Sequence, residues 1–300
     1  MTIAPTRNSR LALTVASILI LTLSGCVSQP SERVSGATEF GHVHGLDIDD
    51  STGTVYAATH NGVWELPALG SETVAESDLG NPVARRAQDT MGFTMVDNEM
   101  LASGHPDPLE YPDLVPANLG LIQSYDNANT WDAVSLWGEI DFHDVSAVRQ
   151  ATAALHVYGY DASTGTVWFS ADSGRTWEAG AKMTIRDLVA NPAEPGTLYA
   201  TAEAGLMVST DNGATFAAVP EAPVLYLVDA GDNGDLVGVD PDGVVWNRPA
   251  GGAWLVTGAV EGEVEAIAYH EDPQTLVAYD SRGVVVSDDL GATWQVLVSR

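Results

Sequence analysis

A single cysteine, Cys26, occurs in the 300-residue chain, which excludes any disulfide within it. Basic residues are scarce too: 12 Lys and Arg stand against 41 Asp and Glu, for a net charge of −29. So acidic a surface repels phosphate backbones, so no nucleic-acid partner is expected, and it offers no basic patch for anionic lipid. It attracts cations. No sustained helical period is present, and the one long apolar run, LALTVASILILTL, is too short for a comfortable membrane span of about 20 residues. Yet 45% apolar residues and eight tryptophans make this a core-forming chain rather than a disordered acidic tail.

That apolar run follows Arg7 and Arg10, the pattern of an export signal over residues 1–25. Leu23, Ser24, Gly25 and Cys26 resemble a bacterial lipobox, which implies a lipid on Cys26. Residues 26–39, polar and small, read as a lipidated flexible tether, and 40–300 as the folded domain. The chain is therefore expected at the outer face of the cytoplasmic membrane, touching it only through the anchor, as an extracytoplasmic monomer. Loss of residues 1–25 removes two arginines and no acid, leaving a net charge of −31.

Internal repeats set the architecture. SYDNANTW at 124, SADSGRTW at 170, STDNGATF at 209 and SDDLGATW at 287 are one motif, S-x-D-x-G-x-T-W, with starts 46, 39 and 78 residues apart. Since 78 is twice 39, a degenerate copy is expected near 248, where NRPAGGAW keeps Gly251 and Trp254. Each copy suits a hairpin turn: aspartate accepts backbone N–H bonds, glycine supplies positive φ, and the aromatic packs beneath. Asp126, Asp172, Asp211 and Asp289 are thus structural.

Between the motifs, short apolar runs alternate with turns, as in TLYATAEAG and LMVST. Six segments align, HGLDID, MGFTMVD, HDVSAV, RDLVAN, YLVDAG and EAIAYH, with Leu46, Phe93, Val145, Leu188, Val228 and Ile267 in the third column. Six repeats averaging about 43 residues predict an all-β, six-bladed β-propeller with four strands per blade.

The S-x-D-x-G-x-T-W copies resemble the Asp-box, or BNR, repeats of sialidase- and sortilin-like propellers. The ordered set HVHGL, MGFT, SGHP, LGLI, DFHDV and VYGYD is similar to bacterial lipoproteins of the glycosylhydrolase-like Asp-box group. The resemblance covers about residues 40 to 298 and implies the propeller fold. Its boxes lie on the periphery and serve turns, so they say little of chemistry.

The first alignment column, expected to face the axial channel, holds His44, Met91, His143, Arg186, Tyr226 and Glu265. The turn after the second strand should return to the same rim, with His60, His105, Glu203, Asp240 and Asp280. Six of seven histidines precede residue 157, and His42 and His44, two apart on a strand, share a face. His42, His44, His60, Met91, His105 and His143 are therefore candidate ligands of a transition metal; imidazole with thioether suits copper first and zinc second. The plainer reading makes these histidines blade-to-blade hydrogen-bond partners and Met91 a core filler. His156 reads as structural and His270 as lying at a solvent turn. The acidic turn DAGDNGD, 229–235, offers oxygens to calcium but lacks EF-hand spacing.

Two other functions compete with metal binding. A glycoside hydrolase acting on cell-surface or environmental glycans is one, and a protein-interaction scaffold is another. The sialidase resemblance implies Tyr226 as nucleophile, Glu265 as its partner and Arg186 as carboxylate clamp. The three-arginine clamp is incomplete, because Arg149, Arg175 and Arg282 fall in turns or a box. Other glycosidases need two carboxylates, for which Asp47, Asp141, Asp144, Glu203 and Glu265 are candidates. The insert PDPLEYPDLVPANL after His105, with Glu110 and Tyr111, is read as a binding loop or as surface decoration.

Overall fold

The computed structural model describes residues 1–2, 39–49, 51–151 and 153–300. The export signal, Cys26 and all but the end of the tether lie outside the described residues. Among those described, no helix is long and apolar enough to cross a membrane.

The chain from residue 39 onward is a six-bladed propeller, each blade an antiparallel sheet laid down from the axis outward. Blade 1 comprises β1 (Val43–Ile48), β2 (Thr54–Thr59) and β3 (Gly62–Ala68), after which comes the two-residue β4 (Val74–Ala75). Blade 2 comprises β5 (Asp89–Val96), β6 (Glu99–His105), β7 (Leu121–Ser124) and β8 (Asp132–Ser135). Blade 3 comprises β9 (Asp144–Arg149), β10 (Leu155–Asp161), β11 (Thr166–Ser170) and β12 (Glu178–Lys182). Blade 4 comprises β13 (Asp187–Ala190), β14 (Leu198–Ala202), β15 (Gly205–Ser209) and β16 (Ala217–Ala218). Blade 5 comprises β17 (Leu227–Ala230), β18 (Leu236–Val239), β19 (Val244–Arg248) and β20 (Leu255–Ala259). Blade 6 comprises β21 (Ala266–Glu271), β22 (Gln274–Asp280), β23 (Gly283–Ser287) and β24 (Gln295–Ser299).

Four strands per blade holds for five blades and fails for blade 1. Where its outer strand should run, β4 instead pairs in parallel with β24 of blade 6. Blade 1 also has no S-x-D-x-G-x-T-W copy, so the hairpin that would return a fourth strand is not encoded.

In the four copies of that motif the predicted geometry is present. Thr130, Thr176, Thr215 and Thr293 each donate a backbone N–H and a hydroxyl to the box aspartate, and the serine hydroxyl accepts the N–H four residues on. The apolar core forms layers between neighbouring blades rather than one centre. Leu46, Trp64, Val277 and Tyr279 join blades 1 and 6, for example, while Tyr56, Phe93, Met100 and Ile122 join blades 1 and 2.

Each junction of the ring also carries an inner latch, a side-chain oxygen on one blade accepting a backbone N–H of the next. Asp47 takes Met95 at 2.7 Å, Ser103 takes Phe142 at 2.8 Å and Ser146 takes Ala190 at 3.0 Å. Asp187 takes Val228 at 2.6 Å, Asp229 takes Tyr269 at 2.7 Å, and Glu265 takes Val43 at 2.8 Å, closing blade 6 onto blade 1. The inward acids are thus first of all ring closures, satisfying backbone groups that the sheets leave unpaired.

Candidate functional site: the axial mouth

A cavity of about 420 Å3 opens on the axis and is lined by inner strands of all six blades. Register breaks shape its rim. A bulge between Val43 and Gly45 falls at His44, and one between Thr90 and Gly92 falls at Met91, so both first-column side chains sit where the strand is re-aimed.

His60 stands on the tight turn joining β2 to β3, its N–H bonded to the carbonyl of His42. Its Nδ1 lies 3.1 Å from His44 Nε2 and 2.8 Å from Asp89 Oδ1, and His44 Nε2 lies 3.6 Å from the same carboxylate oxygen. These three atoms face one another. An ion with bonds of about 2.0–2.1 Å needs donor-to-donor separations of about 2.9–3.4 Å, so of the three edges the 3.1 Å one already fits, while the 2.8 Å edge would have to open and the 3.6 Å edge to close slightly. Burial lowers the pKa of His44, which favours its neutral imidazole. Burial opposes ionisation of Asp89, but the hydrogen bonds from His44 and His60 outweigh it and hold its carboxyl below the ordinary range. His44 thus favours the neutral form and Asp89 the ionised one, and a metal at this point would replace the protons that His44 Nε2 and His60 Nδ1 share with Asp89.

His42 is close by, its ring centroid 4.8 Å from that of His44 and 5.5 Å from that of His60. Its Nδ1 lies 2.7 Å from Glu265, an arrangement that leaves Nε2 as the free nitrogen. Carboxylates orient metal-binding imidazoles in this way.

The remaining rim histidines form a second group. His143 Nε2 lies 2.9 Å and His105 Nε2 3.4 Å from Asp141 Oδ2. The Asp141 hydrogen bond outweighs burial and raises the pKa of His143. His105 is fixed from behind by Nδ1, 2.7 Å from the carbonyl of Ala117 in the insert. Six sequence candidates thus separate into His42, His44 and His60 on one side and His105 and His143 on the other, with Met91 lining the same cavity.

Of the sialidase-like trio, Arg186 and Tyr226 meet, while Glu265 has other partners. Arg186 stacks on Tyr226, its guanidinium carbon 3.4 Å from the ring centroid. Glu265 is engaged by His42, by the Val43 N–H and by Arg300 at 2.8 Å. Asp240 and Asp280 serve turns, accepting from Val244 and Trp246 and from Glu261 and Arg282 respectively. His156 is structural, its ring against Phe169, and His270 lies where β21 turns into β22.

Sequence reading missed Asp89 and Arg300. The signal for Asp89 was a column two residues ahead of the first one, where His42, Asp89 and Asp141 align. Deeper in the channel, burial followed by repulsion from Asp187 raises Asp144, and burial pushes Asp187 up to about 6 and Asp229 up to about 8.

No protein-family model matches the chain. A xyloglucanase of Hypocrea jecorina (strain QM6a) is 40% identical over 67 residues, 21% of this chain and 8% of that protein. Among solved structures, the GH74 enzyme of Niastella koreensis superposes with a TM-score of 0.59 at 16% identity, over 87% of this chain and 46% of that one. A gluconolactonase of Xanthomonas campestris gives 0.57 at 12% identity, over 83% and 86%. These likenesses establish the β-propeller fold. The chain spans less than half the length of the xyloglucanase and of the GH74 enzyme.

Proposed function

We propose that the axial mouth binds a divalent transition metal, with His44 Nε2, His60 Nδ1 and Asp89 Oδ1 as donors and His42 as a fourth. The observation that carries this reading is the triangle of 2.8, 3.1 and 3.6 Å among three donor atoms from two blades. Imidazole and carboxylate donors follow the order in which copper(II) binds tightest, with zinc behind it. A net charge of −29 favours cation uptake. On this reading the lipid on Cys26 keeps a metal-binding module at the outer face of the cytoplasmic membrane. Elemental analysis of the purified protein after dialysis against copper or zinc tests it. One retained equivalent, lost in His60→Ala, supports the proposal; no retained metal rejects it.

A second reading, glycoside hydrolysis at the same mouth, has its own support. The likeness to known proteins points toward carbohydrate chemistry and carries nothing about metal. Asp144 and Asp187 lie at the cavity wall with pKa values raised by burial, so a carboxyl able to hold a proton for use as a general acid is available there. Release of reducing ends from xyloglucan, abolished in Asp187→Asn with the fold retained, supports this reading; turnover unchanged in that variant rejects it.

A further inference from the structure

The missing fourth strand of blade 1 has a local effect on blade 2. In blades 3 and 6 the indole of the S-x-D-x-G-x-T-W motif donates to the outer strand of the preceding blade: Trp177 Nε1 to Ser135 Oγ at 2.9 Å, and Trp294 Nε1 to the Ala259 carbonyl at 2.7 Å. Trp131, the blade 2 counterpart, faces a blade with no outer strand. A cavity of about 360 Å3 lies at Trp131 instead, within the small-ligand range of about 300–1,000 Å3.

Its wall combines three aromatic rings with polar edges. Trp131 and Trp137 flank it above Ile122, and Tyr111 of the proline-rich insert stands edge-on to Trp137, centroids 5.0 Å apart at 74°. Among the described residues, no hydrogen bond within the protein takes the indole N–H of Trp131 or Trp137. Arg86 and Gln88 complete the wall, with Arg86 3.7 Å from Glu110. The free edge of β3 is not the attraction, because the 3-10 turn Val83–Arg85 packs against that strand.

We infer that this lateral cavity is a saccharide-binding site. A pyranose ring presents an apolar C–H face to aromatic rings and equatorial hydroxyls to indole, amide and guanidinium groups at their edges. A purely apolar ligand would leave the indole N–H groups of Trp131 and Trp137 without a partner, and an anion would meet a chain of net charge −29. The site is separate from the metal-binding mouth. Its choice of ligand rests partly on the carbohydrate reading, to which it adds a place that holds sugar without cleaving it.

Titration of the purified full-length protein with cellotetraose and with a xyloglucan heptasaccharide, followed by tryptophan fluorescence, tests the assignment. Wild type is expected to bind at least one of the two, with affinity lowered at least tenfold in Tyr111→Ala and in Trp137→Ala. The Tyr111 ring is 42% exposed, so its removal leaves the fold intact and metal binding unchanged. Absence of binding to both sugars, or binding undiminished in Tyr111→Ala, overturns the site. The second result would move the sugar elsewhere without touching the metal reading.

Discussion

Nδ1 of His60, on the turn after β2, lies 2.8 Å from Oδ1 of Asp89 at the start of β5, so one blade's turn and the next blade's inner strand share a single contact. His44 adds its Nε2 to the same point. The pH dependence of this group follows from its charges. Protons compete with metal for imidazole nitrogen and carboxylate oxygen, while burial favours neutral His44 and its neighbours favour ionised Asp89. Metal affinity is therefore expected to fall on acidification, as protons displace the metal from its donors. Binding measured as a function of pH checks this; affinity that rises on acidification contradicts it.

Glu265 is predicted to be a ring closure before it is anything else. Glu265→Ala leaves the buried Val43 N–H without its acceptor and releases Arg300, at a cost of about 1–3 kcal/mol. Thermal unfolding of the variant should begin lower than wild type. An unaltered Tm would remove this account of the blade 6 to blade 1 junction.

Burial pushes Asp229 up to about 8, so the folded state keeps a proton that the unfolded chain loses near the ordinary carboxylate range of about 3.9. The folded protein then binds more protons than the unfolded chain as pH rises from about 4 to about 8, and stability falls across that window. Asp229→Asn removes this proton and should flatten the decline of Tm between about pH 6 and pH 8. Parallel pH profiles for variant and wild type contradict the shift.

Asp172 titrates in the opposite sense. Hydrogen bonds from the Thr176 N–H and hydroxyl lower it to about 2, so its contribution is present above the unfolded value and is lost as pH falls from about 4 toward 2. Asp172→Ala is expected to lower Tm by about 2–4 °C at neutral pH. The difference from wild type should shrink on acidification, which differential scanning calorimetry reads directly.

The ring was legible in the sequence because its period is carried by residues with one job each. Ser124, Asp126 and Thr130 must recur at fixed spacing to close a hairpin, and Leu46 and its column mates must recur to fill the layers between blades. The first column also leads to one cavity, since His44, Met91 and His143 all line it. The composition of the proposed metal group was harder to read. Asp89 joins it from a second column, and the bulges at His44 and Met91 break the simple period of two that aligned the strands. Glu265 became a candidate through its place on the rim and through the sialidase resemblance. Besides His42 it engages Val43 and Arg300, which lie at opposite ends of the folded domain and meet only where the ring closes. The three-stranded blade 1 follows from the missing motif between residues 69 and 88, an absence that a search for repeats passes over.

Calorimetric titration of the purified protein with copper(II) at neutral pH tests the central claim most directly, using wild type, His44→Ala, Asp89→Asn and Met91→Leu. One tight site is predicted in wild type, weakened at least about tenfold in His44→Ala and Asp89→Asn, as expected when a ligand or its orienting carboxylate is lost, and retained in Met91→Leu. No stoichiometric site, or an affinity that ignores both His44→Ala and Asp89→Asn, would contradict it.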